Sequence, residues 1–231
     1  MCLRVCALGL ATFSLIPTLA LSQSYGTGIN GSVFACKIES YFQTGKGDLS
    51  NSASDSCQDG TATASSSASL DLGLKALGSA TAGGKDDTPA SSGAATSAHQ
   101  TATLIPPKGF TGTKVPVSFD NDIYAVQISG LAGGGSTAAA GVCWVLPTSS
   151  SAPLCKTIST NGSDSGKISA KFVVNKSKSG FKVFILKDAT IDIKSNPGNT
   201  ISAGAATTSV PNLVLPKGWT CKYDSGTSCP K

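Results

Sequence analysis

One histidine, a sparse set of aspartates and a few aromatic rings are the residues of this chain that could do chemistry. His99, in ATSAHQTAT, would need a nucleophile and an orienting acid beside it to work as a hydrolase base. The chain has no Gly-x-Ser-x-Gly elbow, and His99 alternates with small polar residues, so it reads as an exposed surface histidine. Asp120 and Asp122 bracket Asn121, and carboxylates at that spacing can reach one calcium ion. Calcium takes about six to eight oxygens, the neighbouring residues supply no others, and an Asx-type turn is the ordinary alternative. Glu39 is the only glutamate, so a glycosidase pair would have to be Asp188 with Asp192. The run GLAGGGST, Gly130 to Thr137, lacks the Gly-Lys-Ser/Thr ending of a phosphate cradle and reads as an inter-strand loop. None of these patterns implies a cofactor.

The rings offer binding instead of catalysis. Trp144 lies beside Cys143 in an apolar run and reads as core. Trp219 and Tyr223 flank Cys221 near the C-terminus, where exposed rings would stack on sugars. Asn30, Asn161 and Asn175 open Asn-x-Ser sequons, which matter in a glycosylating host and point to exposed turns.

Extended chain must position these groups. In TATASSSASLDLGLKA, residues 61–76, Ala62, Ala64, Ala68, Leu70, Leu72, Leu74 and Ala76 share one parity, while hydroxyls, Asp71 and Lys75 share the other. Only Ser66 breaks the pattern, which predicts a strand with one greasy and one hydroxylated face. Residues 78–93 carry the turn residues of a loop, and 94–105 form a second small-residue strand. Val115, Val117 and Phe119 alternate around Pro116, and Ile123 to Ser129 follows Asp120-Asn121-Asp122 as the second arm of a hairpin. Ala138 to Leu146 is apolar on both parities and predicts a central strand buried on both faces. Further strands are expected over 168–174, 181–186, 191–193 and 200–210. Many short strands separated by turn signals predict an all-β antiparallel sandwich of jelly-roll type, with a closed barrel as the alternative. Pro-Lys-Gly followed by an aromatic residue occurs twice, in LIPPKGFTGTK (104–114) and LVLPKGWTCKY (213–223), as two corners of one sandwich.

The termini and cysteines set the compartment. Met1 to Arg4, an apolar stretch from Val5 to Leu21, and small residues Ala20 and Ser22 predict a signal peptide over 1–22. The stretch is interrupted by Pro17 and is shorter than the roughly 20 residues of a membrane span. Six cysteines remain in the single sandwich domain expected over 23–231. Sequential pairing of Cys36 with Cys57, Cys143 with Cys155 and Cys221 with Cys229 closes three short loops, the last forming a C-terminal disulfide loop. Cys-x-x-Cys spacing and histidine partners for zinc are both missing. Arg4 is the only arginine; without it seventeen lysines face thirteen acids, a net charge of +4. The missing bidentate fork argues against nucleic acid, and the modest excess of lysine suits an anionic polysaccharide or envelope surface.

The order SASLDLGLKALGSA, VPVSF and NTISAGAATTSVPNLVLPKGWT resembles a loose group of secreted bacterial Ala/Ser-rich β-sandwich proteins of unknown function. The resemblance covers roughly residues 60–225 and implies export and a sandwich fold; many of the group end in a sorting tail that this chain lacks. The expectation is a secreted, non-catalytic structural or adhesive module at the cell exterior. A carbohydrate-binding module using Trp219 and Tyr223, and an exported hydrolase using aspartates, are the alternatives. Small-residue edge strands also suit pairing between copies.

Overall fold

The computed structural model describes residues 25–58, 60–82, 89–132, 135–145, 154–207, 212–226 and 229. The predicted signal peptide, residues 83–88 of the expected 78–93 loop and part of the glycine-rich run lie outside them. Among the described residues fourteen strands follow one another: β1 (Tyr25–Phe34), β2 (Ile38–Gly45), β3 (Leu49–Cys57), β4 (Gly60–Ala68), β5 (Leu74–Ala82), β6 (Ala90–Ile105), β7 (Lys114–Ser129), β8 (Thr137–Val145), β9 (Leu154–Ile158), β10 (Gly162–Asn175), β11 (Phe181–Ser195), β12 (Thr200–Thr207), β13 (Asn212–Val214) and β14 (Thr220–Tyr223).

They form two packed antiparallel sheets, as the alternation predicts. The first has the order β2-β1-β6-β11-β8-β9 with β14 beside β6, and the second β10-β7-β12-β5-β4-β3 with β13 beside β7. Their facing sides share one apolar cluster, in which Trp144, Phe119, Ile29, Ile185, Ile191 and Ile201 are the large members and alanine supplies much of the rest. The three sequential cysteine pairs are all bonded.

Alanine brings the sheets close in the middle of the sandwich. Ala62, Ala64 and Ala68 on β4 face Ala94, Ala98 and Ala102 on β6, and all are buried. Short hydroxyl side chains therefore span the gap: Thr96 Oγ1 donates to Ser67 O at 3.0 Å, and Ser92 donates to the Thr63 carbonyl. A Cβ on Gly78 would meet Ile191 Cδ1 at 2.5 Å, so that position admits no side chain without displacement. These two inward hydroxyls are satisfied by carbonyls of the opposite sheet, which offsets the cost of burying them.

Three sequence expectations are corrected here. Residues 61–76 are two strands joined by a turn at Ser69–Gly73, and the parity survives because the inward rows of β4 and β5 are both even-numbered. Leu72 sits in that turn with φ 67°, fully buried. Ser66, the apparent fault, lies on the inward face with the alanines. Asp120-Asn121-Asp122 is no hairpin turn: β7 runs through it, and Phe119 and Asp122 oppose Ala170 and Ile168 on β10. One extra residue on β7 makes a β-bulge, so the buried parity switches from Val115, Val117 and Phe119 to Tyr124, Val126 and Ile128. The strand most buried on both faces is β6, with β8 two places further out.

A carboxylate braces one corner. Asp55 Oδ2 accepts from the backbone N–H groups of Ala35 (2.9 Å), Cys36 (2.6 Å) and Lys37 (2.8 Å), where β1 turns into β2. The Cys36–Cys57 disulfide ties the same corner to the end of β3.

Candidate functional site

The two Pro-Lys-Gly segments fold into the same turn and lie side by side. Phe110 N donates to Pro107 O and Trp219 N to Pro216 O, both at 3.1 Å. Gly109 and Gly218 both have φ 85°, the left-handed third position of a type II turn, which glycine adopts without strain. A Cβ on Gly218 would lie 3.3 Å from Pro107 Cβ, so the turns touch. The aromatic residue after each turn then meets its counterpart: Phe110 and Trp219 pack edge to face at 4.9 Å, and Phe181 closes the cluster at 5.1 Å from Trp219. Edge-to-face packing at these distances holds rings rigidly. Phe110 keeps 37% of its surface exposed and Trp219 is half-buried.

Lysines surround this aromatic ledge. Lys108 and Lys217 stand at the exposed second position of the twin turns. Lys182 on β11 and Lys222 on β14 flank Thr103 of β6 in register, both exposed. Lys114 opens β7 opposite Asn175, and Lys176 N donates to Thr113 O at 2.8 Å, bringing the Lys176–Lys178 turn to the same end. Asp224 is the described carboxylate nearest to this group in the chain, and it is half-buried. Clustered ammonium groups beside exposed rings can hold anions while the rings stack on apolar faces.

Tyr223 does not join the ledge. It is 2% exposed, its ring points into the core with Cys221, and burial raises its hydroxyl pKa. The expected sugar-stacking role for it is corrected: residues 221 and 223 share the inward face of β14.

His99 is likewise buried, 2% exposed, against the expectation of a surface residue. Its register partner is Gly26, whose missing side chain leaves room for the imidazole; a Cβ there would lie 3.1 Å from His99 Cε1. Its ring neighbours Phe184 at 5.7 Å.

The acidic candidates do not converge. Asp120 is half-buried within β7, and the side chain of Asp122 is outside the description. Among the described residues no group of three or more His, Cys, Asp or Glu side chains is placed to hold a metal. Asp188 and Asp192 share the outward face of β11 with Thr190 between them. Four residues of strand separate them by about 13 Å, beyond the roughly 5 to 10 Å of a glycosidase pair. Burial alone lifts Asp188 to about 7, and burial also raises Asp192. Asp188 lies in a register row with Ser97 and Cys143, its Oδ1 buried and unpaired.

The sequons differ in setting. Asn161 lies in the turn before β10, but its side chain bonds Leu131 N (2.7 Å) and Leu131 O (2.6 Å), pinning the glycine-rich loop. Asn30 is within β1 and not in a turn, and Asn175 is exposed at the end of β10.

No protein family, curated protein or solved structure matches the chain.

Proposed function

We propose that this protein is an exported, non-catalytic adhesive module that grips an anionic polysaccharide of a cell envelope through the lysine-bearing end of its sandwich. One observation carries the reading: two touching turns carry the exposed Lys108 and Lys217, each two residues before a ring of the packed Phe110–Trp219 pair. Ammonium groups supply long-range attraction to carboxylate or phosphate, and rings supply contact with the apolar face of a sugar. Three disulfides are consistent with an oxidising compartment. The separated aspartates speak against hydrolysis. In a pull-down on immobilised polygalacturonate, wild-type protein is retained and Phe110→Ser with Trp219→Ala is released; equal retention would end the proposal.

A second reading is favoured by edge strand β2, which exposes Ile38 (73%) and Phe42 (57%). Such an edge can pair with another copy, making the protein a building block of an assembly. Size-exclusion chromatography separates the readings, since Ile38→Lys converts an assembly to monomer and leaves a monomeric adhesin unchanged.

A further inference from the structure

We propose that a concavity beside the Ser69–Gly73 turn binds a single sugar ring. It lies on the second sheet, apart from the lysine-bearing end, and does not depend on the function proposed for that end. Its volume is about 500 Å³, within the range of small-ligand sites. Ser50, Ser67 and Lys75 are register neighbours on β3, β4 and β5, and Asp48 stands at the approach to β3. Adjacent strands are about 4.8 Å apart, so two hydroxyls and an ammonium form a row on the scale of one pyranose. Ala206 continues the row on β12 and gives a small apolar contact for the C–H face of a ring.

The turn that walls this concavity is held in a costly conformation from several directions. Leu72 is a non-glycine residue at φ 67°. Its carbonyl accepts from Thr207 Oγ1 at 3.3 Å, its N–H donates to Ser69 O at 3.0 Å, and Asp48 Oδ1 accepts from Leu70 N at 2.8 Å. Gln100 of the opposite sheet donates to the Leu70 carbonyl. Backbone kept in a sparsely populated region by surrounding contacts is characteristic of ligand-binding segments. Lys75 and Asp48 offset each other in charge, so the site reads hydroxyls and not net charge. The ligand class is therefore an uncharged hexose or N-acetylhexosamine, unlike the polyanion expected at the lysine-bearing end.

The test is an NMR titration of the full protein with free glucose, galactose, mannose and N-acetylglucosamine. At least one is expected to give saturable shifts at the Ser50, Ser67 and Lys75 amides, with a Kd on the order of 1 to 10 mM for a single ring. Ser67→Val and Lys75→Ala, both on the outward face, should each weaken that binding at least about fivefold with the spectrum otherwise preserved. Addition of about 0.5 M salt should leave it unchanged, because no net charge is recognised. Absence of saturable shifts at those amides with all four sugars would overturn the proposal, as would binding unaltered in both variants or shifts confined to Lys182, Lys222 and Trp219.

Discussion

Tyr41 and Ser66 meet hydroxyl to hydroxyl at 2.7 Å, joining edge strand β2 of one sheet to β4 of the other. Ser66 Oγ donates onward to Asn30 O at 3.0 Å, so the Tyr41 hydroxyl is the donor between them. The Tyr41 ring reaches inward because Gly31 leaves the space; a Cβ there would lie 2.5 Å from the ring. Loss of either hydroxyl should cost about 1 kcal/mol, and a double-mutant cycle of Tyr41→Phe with Ser66→Ala should show coupling of roughly 0.5 to 1.5 kcal/mol in urea unfolding. Additive effects would mean that the pair is not formed.

The Asp188 carboxyl predicts stability that declines as pH rises. Its folded pKa of about 7 lies above the ordinary carboxylate value, so the folded state holds its proton where the unfolded state has released it. Stability from this group is intact below about pH 4 and falls until about pH 7, the pKa difference setting the window. Asp188→Asn should therefore raise the melting temperature little near pH 4 and most above pH 7, where the gain in unfolding free energy is on the order of 4 kcal/mol. Melts of both proteins from pH 4 to 8 check this; a constant offset would contradict it.

Asp55 predicts the opposite limb. The backbone N–H of Cys36, then that of Lys37, hold its carboxyl at about 2, below the unfolded value. The stabilisation is present above about pH 4 and is lost as the pH falls toward 2. Asp55→Asn should lower the melting temperature at pH 7 and flatten its acid decline. A variant with the wild-type acid profile would show that the three N–H donors do not favour the charged form.

Much of the sandwich was legible in the chain, because alternation reports which side chains share a face. The pattern cannot report a turn whose flanking strands keep the same parity, which is why β4 and β5 read as one strand across Ser69–Gly73. Nor does it distinguish a bulge from a hairpin at Asp120-Asn121, since both break the alternation. The burial of His99 depends on Gly26, which is remote in sequence and adjacent only in the sheet. Tyr223 was readable: two residues after a cysteine bonded inward, it shares that cysteine's face. The repeated Pro-Lys-Gly-aromatic segment was visible too, but that its two copies touch is set by β14 pairing with β6. The row of Ser50, Ser67 and Lys75 is composed by register, and no single stretch of sequence contains it.

The lysine-bearing end is tested most directly by the salt dependence of binding to polygalacturonate, compared between wild type and Lys108→Glu with Lys217→Glu. Both lysines are exposed on turns, so the folded state should be unchanged. Wild type should bind at low salt, weaken steadily as salt rises and hold neutral dextran far more weakly than polygalacturonate, while the charge-reversed protein binds polygalacturonate at least about tenfold more weakly. Equal binding by both proteins, or equal binding of dextran and polygalacturonate, would contradict the account.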